Sequence, residues 1–502
     1  MWFLSDPPVK STGDPDVAGV AWRPVLAVVA VVALVHLVVA TRYGWHRDEF
    51  YYVASGRHLA WGYPDQPPLT PFLARIAASA PGGVLPLRIV AIAAQAATLV
   101  LAALTARELG GRGCAQALSA ACIAGAGVFV GASLLLGTTV VDQLLWALVI
   151  WATLRAIRID SAGAWIAVGV AAGLGLENKS TVAVFLGAIF IGLAVARRPV
   201  LRRRGPWLAA AIAALLWVPN LVWDARHNWI NLDTARVIAD DQGGFVGSLA
   251  QLPILLILLP TPFLVLMWIR GVRWGARHPS GRDHRWLLVA AAVVVAAVTV
   301  AGGKPYYAAP MLVPLFAMGA VATEARTPAG TRLGRWTLAA VVVSIIGATV
   351  IGLPVATPSL STALRPVNKE PMETYGWPGF AHQVQSALSK DPGAVAVYTS
   401  NYGEAGALAR YGPRFGLSIP VVSGQNAYRY WRHPSGTPTN VLAVGQFDRR
   451  FLSRSWGRVE RVATLTLPRG LEDEETENHA IYRCTQPKGT WDQLWPHLTY
   501  LS

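Results

Sequence analysis

The sequence predicts a polytopic α-helical membrane protein with about eleven membrane-spanning helices, followed by an α/β domain outside the cytoplasm. Of the 502 residues, 53% are hydrophobic and only 14% are charged, and the mean hydropathy is +0.40. A soluble domain carries about 25% charged residues. The long apolar runs are confined to residues 22–356, whereas 357–502 has the composition of a soluble sequence. We therefore divide the chain into an N-terminal tail (1–21), a membrane domain (22–356) and a C-terminal domain (357–502).

The predicted spans each approach the roughly 20 apolar residues that cross a bilayer. They are 22–40, 85–106, 115–136, 138–154, 162–176, 180–196, 206–223, 248–269, 286–302, 308–323 and 336–356. Arginines concentrate in alternate loops between them: Arg107 and Arg112; Arg155 and Arg158; Arg197, Arg198, Arg202, Arg203 and Arg204; Arg270, Arg273, Arg277, Arg282 and Arg285; Arg326, Arg332 and Arg335. Cytoplasmic loops carry such an excess. An odd number of spans then places the N-terminal tail in the cytoplasm and the C-terminal domain outside it.

The net charge of +15 follows from these loop arginines, so it indicates membrane topology and not a nucleic-acid partner. The two long outer loops are 41–84 and 224–247. Within the first, residues 48–60 and 68–80 have the apolar spacing of short amphipathic helices, which we expect to lie along the membrane surface or to pack against the spans.

The C-terminal domain alternates two kinds of pattern. Residues 394–399 and 440–444 are typical of strands, and 403–411 and 448–456 are typical of helices. This alternation predicts a small α/β domain.

Ionisable side chains at the outer ends of spans are the candidates for chemistry, since charge at membrane depth is costly and usually functional. Asp48 and Glu49 follow the first span. If a helix starts there, Asp48, Tyr51, Tyr52 and Ser55 share one face. The alternative role for Asp48 is to cap that helix, which contributes about 1 kcal/mol.

Further charged residues lie at the ends of later spans: Arg88, Asp142, Glu177, Lys179 and Lys304. Each alone has an alternative role as a membrane anchor, a local salt bridge or a snorkelling side chain. Together, basic groups at this boundary can hold a phosphate whose lipid tail stays in the bilayer. A carboxylate beside them can take a proton from an acceptor hydroxyl. The set therefore indicates group transfer from a phosphorylated lipid.

Residues 43–76 resemble the first outer loop of the membrane glycosyltransferases of family 39, the relatives of protein mannosyltransferases and aminoarabinose transferases. The family pattern is an acidic pair after the first span, then aromatic residues, then a Pro-Pro-Leu segment. Here these are Asp48 and Glu49, Tyr51 and Tyr52, and Pro67, Pro68 and Leu69. Later matches are Arg88, Asp142, Lys179, and Lys304 followed by Pro305, Tyr306 and Tyr307. Residues 401–413 and 420–431 are similar to the C-terminal domain of actinobacterial members.

The resemblance implies the GT-C fold and a hexosyl- or pentosyltransferase of the plasma membrane. The donor would be a polyprenyl-phosphate monosaccharide and the acceptor an envelope protein, lipid or polysaccharide. Asp48 would be the general base and Glu49 a substrate ligand. The donor phosphate would be bound by Arg88, Lys179, Lys304 and Tyr306, and the other substrate contacts would come from Tyr51, Tyr52, Gln66 and Asp142.

Two points of the resemblance bear on the site. Many relatives have Lys or His where this chain has the uncharged Gln66. We therefore assign the donor phosphate to Arg88, Lys179 and Lys304. Some relatives use a divalent metal and others do not. We expect that none is required here and that the enzyme has no cofactor.

Two other classes of protein remain open. A lipid or sugar transporter or flippase would also be polytopic, but it would usually contain internal repeats and helices broken at mid-membrane. A non-catalytic scaffold for envelope assembly would use the C-terminal domain to bind a polymer, with Tyr428, Tyr430 and Trp431 stacking on sugars. The placement of charges at the outer boundary and the lack of an evident repeat favour the transferase.

Overall fold

The computed structural model describes residues 18–327, 333–431, 433–473 and 479–502. Residues 1–17 of the predicted tail and Arg332 of the inner arginine set lie outside these ranges. The first helix, α1 (Trp22–Val39), is followed by two short helices in the first outer loop, α2 (Arg47–Arg57) and α3 (Leu69–Ser79). Both were predicted from apolar spacing, and the structure confirms them.

The helix α2 begins with a capping box formed by His46 and Glu49. The Nδ1 atom of His46 accepts a hydrogen bond from the Asp48 backbone N–H, and the Glu49 carboxylate accepts one from the His46 N–H. Such a box satisfies backbone donors that a helix start leaves unpaired. The alternative that Asp48 caps this helix is therefore wrong, because His46 holds that position.

The next stretch contains six helices: α4 (Leu85–Glu108), α5 (Gly113–Gly125), α6 (Gly127–Ala132), α7 (Thr138–Ile159), α8 (Ala162–Leu176) and α9 (Val182–Ala196). The predicted continuous span over 115–136 is wrong, because the chain is extended at Ala126 and divides α5 from α6. The flanking glycines, Gly125 and Gly127, favour a helix break because they stabilise helix interiors poorly.

The third stretch is the least regular. It contains α10 (Gly205–Arg226), α11 (Ile230–Asp241), α12 (Gly244–Ala250), a π-helical turn (Ile254–Leu258), α13 (Val265–Arg277) and α14 (Arg285–Val300). The predicted span over 248–269 is also wrong. Pro260 and Pro262 remove backbone donors, and Thr261 between them has a φ of 67°. The segment Gly244–Leu258 instead pairs with α11 across a bend of 58°.

The membrane domain ends with α15 (Leu312–Ala325) and α16 (Arg335–Gly352), and a 3₁₀ segment (Pro305–Met311) precedes α15. Within the described residues, seven helical segments are long and apolar enough to cross a membrane, and the bent pair makes eight. The three shorter apolar helices α5, α8 and α9 bring the apolar helical segments to eleven, which agrees with the predicted architecture.

The C-terminal domain contains a five-stranded sheet with helices beside it. Its helices are α17 (Pro358–Leu364), α18 (Trp377–Ser389), α19 (Tyr402–Tyr411), α20 (Arg449–Ser455) and α21 (Trp491–Leu498). Its strands are β1 (Ala396–Thr399), β2 (Val421–Ser423), β3 (Asn440–Gly445), β4 (Trp456–Thr464) and β5 (Ala480–Pro487). These elements confirm the two strands and two helices predicted there.

The sheet has the strand order β2-β1-β3-β5-β4. The strand β1 pairs in parallel with β2 and with β3, where Val397 lies opposite Leu442. The strand β5 pairs antiparallel with both β3 and β4. The helix α19 starts directly after the inner strand β1 and packs against α2 of the first outer loop.

The C-terminal domain and the first outer loop share one hydrophobic core. Phe50 of α2 stacks edge-on against Trp377 and Tyr411, with ring centroids 5.5 and 6.2 Å apart. Because loop 41–84 follows the first span and the domain follows the last, their contact places both on one side of the membrane. An odd number of crossings follows, in agreement with eleven. That this side is outside the cytoplasm stays a prediction, as does the domain boundary near residue 357.

Candidate active site

A cavity of about 360 Å³ lies between the first outer loop, the break after α5, the π-helical turn and α16. Its polar lining includes Asp48, Tyr52, Tyr306 and Glu370. Its apolar lining comes from side chains of several elements: Leu135, Ile254, Leu258, Leu259, Ala348 and Ile351. Both interrupted spans thus contribute to its wall. A cavity with carboxylates and a long apolar wall is suited to an amphipathic ligand.

Asp48 lies in the first turn of α2, and its side chain is 30% exposed. Its Oδ1 accepts a hydrogen bond of 2.8 Å from the Tyr402 hydroxyl of the C-terminal domain. Its Oδ2 lies 3.9 Å from His46 Nδ1. The predicted base therefore faces the cavity while one of its oxygens is held by the C-terminal domain.

Glu370 is a second carboxylate of the cavity that the sequence analysis missed. His46 Nδ1 accepts from the Asp48 N–H, so its Nε2 carries the proton and donates to Glu370 Oε2 at 2.9 Å. Burial acts to raise the pKa of Glu370, but the His46 hydrogen bond and the positive charges of Arg47 and Lys369 lower this pKa to about 2. The sequence signal was an acidic residue early in the C-terminal domain, between α17 and α18.

Glu49 and Arg88 are brought together, but away from the cavity wall. Arg88 donates from Nε to Glu49 Oε1 at 2.5 Å and from Nη2 to Glu49 Oε2 at 2.8 Å. The Arg88 side chain is 2% exposed and the Glu49 side chain is 0% exposed. Arg88 also donates to the Gly44 carbonyl at 3.2 Å. The two residues thus fix the start of α2 against α4. Their predicted roles in substrate binding stay predictions.

The other predicted phosphate ligands form a cluster around Tyr306. The Lys179 Nζ lies 5.2 Å from the centroid of the Tyr306 ring and 4.2 Å from that of Tyr307. Burial lowers the pKa of Lys179, as does the charge of Lys304, while the charge of Asp142 opposes this. Since Tyr306 also lines the cavity, Lys179 lies close to the cavity wall, and Lys304 is near enough to Lys179 to affect its pKa.

Asp142 is buried, and its Oδ1 accepts a hydrogen bond of 2.9 Å from the Trp146 indole. It lies on α7 within electrostatic range of Lys179. The structure therefore unites Asp142, Lys179, Lys304 and Tyr306, and it leaves Arg88 out of this cluster.

Tyr51, Tyr52 and Gln66 differ in their surroundings. Tyr52 lines the cavity, whereas the Tyr51 hydroxyl donates to Asp65 Oδ1 at 2.6 Å and accepts from the Ala427 N–H at 3.2 Å. Neither polar atom of the buried Gln66 side chain has a hydrogen-bond partner in the part of the chain that the structure describes.

Asp65, which the sequence analysis also missed, is held between the two parts of the protein. It accepts hydrogen bonds from Tyr51 and from the Asn426 side chain of the C-terminal domain. Burial raises the pKa of Asp65 to about 6, although both hydrogen bonds act in the opposite direction. Its signal in the sequence was an acid adjacent to the Pro-Pro-Leu segment.

Within the described ranges, no group of three or more His, Cys, Asp or Glu side chains lies close enough together to hold a metal ion. The expectation that the protein needs no metal stays a prediction.

The fold is GT-C-like, with a polytopic α-helical membrane domain followed by a small α/β domain. Residues 65–223 match the family model described as dolichyl-phosphate-mannose-protein mannosyltransferase. This match and the solved structures below confirm the resemblance predicted from the first outer loop. A search of curated proteins finds none with significant similarity to the chain.

Three solved structures share the fold over most of the chain. ArnT from Cupriavidus metallidurans bound to undecaprenyl phosphate has a TM-score of 0.57 and 15% identity, covering 93% of this chain and 98% of its own. The apo state of the same protein has a TM-score of 0.60 and 13% identity, covering 91% and 97%. The arabinofuranosyltransferase AftD from mycobacteria has a TM-score of 0.53 and 14% identity, covering 94% of this chain and 40% of its own.

Proposed function

We propose that this protein is a membrane glycosyltransferase. It moves a monosaccharide from a polyprenyl-phosphate donor to a cell-envelope acceptor on the outer face of the plasma membrane, with Asp48 as the general base. The observation that carries the proposal is the cavity, which combines a partly exposed carboxylate, an adjacent basic cluster and an apolar wall. The shared fold of ArnT, whose structure contains undecaprenyl phosphate, supports this class of donor.

The chemistry assigns a role to each part of the site. The acceptor hydroxyl attacks the anomeric carbon of the sugar as its proton passes to Asp48. The bond between that carbon and the phosphate oxygen breaks, and polyprenyl phosphate leaves with inversion at the sugar. Lys179 and Lys304 would neutralise the phosphate, since ammonium groups form strong charge-assisted contacts with it.

A second candidate is a transporter or flippase for the same kind of lipid. It is favoured by the broken helices at the cavity wall, α5–α6 and the π-helical turn, because transporter sites are often built from discontinuous helices. A transporter would move the lipid intact, whereas the transferase would cleave the sugar from it. The product therefore separates the two functions.

The experiment is a transfer assay on the full-length protein in proteoliposomes with polyprenyl-phosphate sugars that carry a radiolabelled sugar, plus an envelope extract. The wild type should release unlabelled polyprenyl phosphate and label an acceptor. Asp48→Asn should reduce the rate at least about 100-fold, the usual minimum for a lost general base. Asp224→Asn is the matched control, since Asp224 is a buried outer carboxylate that does not line the cavity.

Two outcomes would contradict the proposal. Wild-type rates in Asp48→Asn would overturn Asp48 as the base. Transbilayer movement of intact labelled lipid with no transfer would overturn the transferase and support the transporter.

A further inference from the structure

The contact between Asp48 and Tyr402 joins residues that are 354 positions apart in the chain. Tyr402 is the first residue of α19, and its partly buried ring stacks on Tyr51 with centroids 4.5 Å apart and an interplanar angle of 27°. Tyr51 lies on α2 next to the turn that carries Asp48. Ring stacking therefore fixes Tyr402, while its hydroxyl donates a hydrogen bond to one oxygen of the Asp48 carboxylate.

The backbone that carries Tyr402 is held in place by its own domain. Asn401 caps α19 by accepting from the Glu404 N–H at 2.8 Å, and Glu404 accepts in return from the Asn401 N–H at 3.1 Å. The Tyr402 N–H donates to the Gln425 side chain at 2.8 Å. Since a capping box fixes where a helix starts, the position of the Tyr402 hydroxyl follows from the fold of the C-terminal domain.

Two glycines allow α19 to approach α2 closely enough for this contact. A Cβ atom on Gly403 would lie 2.6 Å from the Cβ of Arg47, and a Cβ on Gly406 would collide with Phe50. The two glycines are three positions apart and so share one face of α19. Close approach of the two backbones brings the Tyr402 hydroxyl within hydrogen-bonding distance of Asp48.

We propose that Tyr402 is a positioning residue for Asp48, so that the C-terminal domain completes the catalytic centre. This inference rests on the proposed function. The Asp48 side chain can rotate about two bonds. A hydrogen bond from Tyr402 to Oδ1 favours the rotamer in which Oδ2 can take the proton of the acceptor hydroxyl. Preorganisation of this kind acts on the rate of the chemical step, because it keeps the base in its productive geometry.

The test is Tyr402→Phe in the full-length protein, assayed by the same sugar transfer. This variant keeps the ring stack and removes only the hydroxyl. We expect kcat to fall about tenfold or more, the fold-change that matches loss of a hydrogen bond to a charged group, with the donor KM nearly unchanged. Tyr398→Phe is the matched control, because its hydroxyl donates to the Leu498 carbonyl inside the same domain, away from Asp48.

A double-mutant cycle separates positioning from a structural effect. If Tyr402 acts through Asp48, Tyr402→Phe should cause no further loss in the Asp48→Asn background. Wild-type kcat in Tyr402→Phe, or the same fold-loss in both backgrounds, would overturn the inference while the transferase assignment stands. If the wild type transfers no sugar at all, the proposed function fails, and this inference fails with it.

Discussion

Arg88 and Glu49 form a bidentate ion pair in which both side chains are almost completely buried, with N–O distances of 2.5 and 2.8 Å. The pair connects α4 to the start of α2, the helix that carries Asp48. Because Glu49 also accepts from the His46 N–H, one carboxylate serves both the capping box and the ion pair. The two residues therefore determine where the first outer loop begins its helix.

The first prediction is that Arg88→Ala destabilises the protein. Removing one partner leaves the Glu49 charge buried without compensation, which typically costs about 3–5 kcal/mol. Thermal unfolding in detergent would measure this as a clear decrease in Tm. The matched control is Arg236→Ala, which breaks an exposed pair with Asp233 and should have little effect. An Arg88→Ala protein with wild-type Tm but weaker donor binding would instead favour Arg88 as a direct phosphate ligand.

The second prediction concerns Lys179 and Lys304. Replacing either with Gln should raise the donor KM roughly 10- to 150-fold, since a lost charge-assisted contact costs about 1.5–3 kcal/mol. Steady-state kinetics with varied donor concentration would measure this. Lys390→Gln, an exposed change in the C-terminal domain, is the control. If both variants keep the wild-type donor KM, the phosphate is bound elsewhere.

The third prediction uses the raised pKa of Asp65, which is about 6 in the folded protein against an ordinary 3.8. The folded state holds this proton more tightly than the unfolded state does. The resulting stabilisation is fully present below about pH 3.8 and is lost as the pH rises through about 6. Asp65→Asn should remove this contribution, on the order of 3 kcal/mol, so that the stability of the variant changes less between these pH values.

Unfolding of both proteins at several pH values would measure this difference. Asp233→Asn, an exposed carboxyl change, should keep the wild-type profile. An Asp65→Asn profile parallel to that of the wild type would show that the Asp65 carboxyl does not titrate as described.

The fourth prediction concerns topology. The arginine-rich loops should be cytoplasmic, which places the C-terminal domain and loop 41–84 outside. Alkaline phosphatase fused after Ser502 should be active, and a fusion within loop 197–205 should be inactive. The opposite pattern would place the cavity on the cytoplasmic face and contradict transfer on the outer side.

Much of the architecture could be predicted from local sequence features. The helices α2 and α3, the strands β1 and β3 and most of the spans follow from apolar runs and their spacing, which are properties of short segments. The two wrong spans show the limit of this approach. Hydropathy over 115–136 and 248–269 is high enough for a continuous helix, but Gly125, Gly127, Pro260 and Pro262 break it at the cavity wall.

The sequence by itself determined the membrane architecture and the helices of the first outer loop, because these depend on composition and local spacing. It also predicted Asp48 as the general base, but only the tertiary structure decided which groups surround that residue. Glu370 and Tyr402 reach His46 and Asp48 from 324 and 354 positions away, and Arg88 pairs with Glu49 instead of joining the lysines. Such contacts depend on how α2, α4 and α19 pack against each other, and no periodicity within a single segment records that packing.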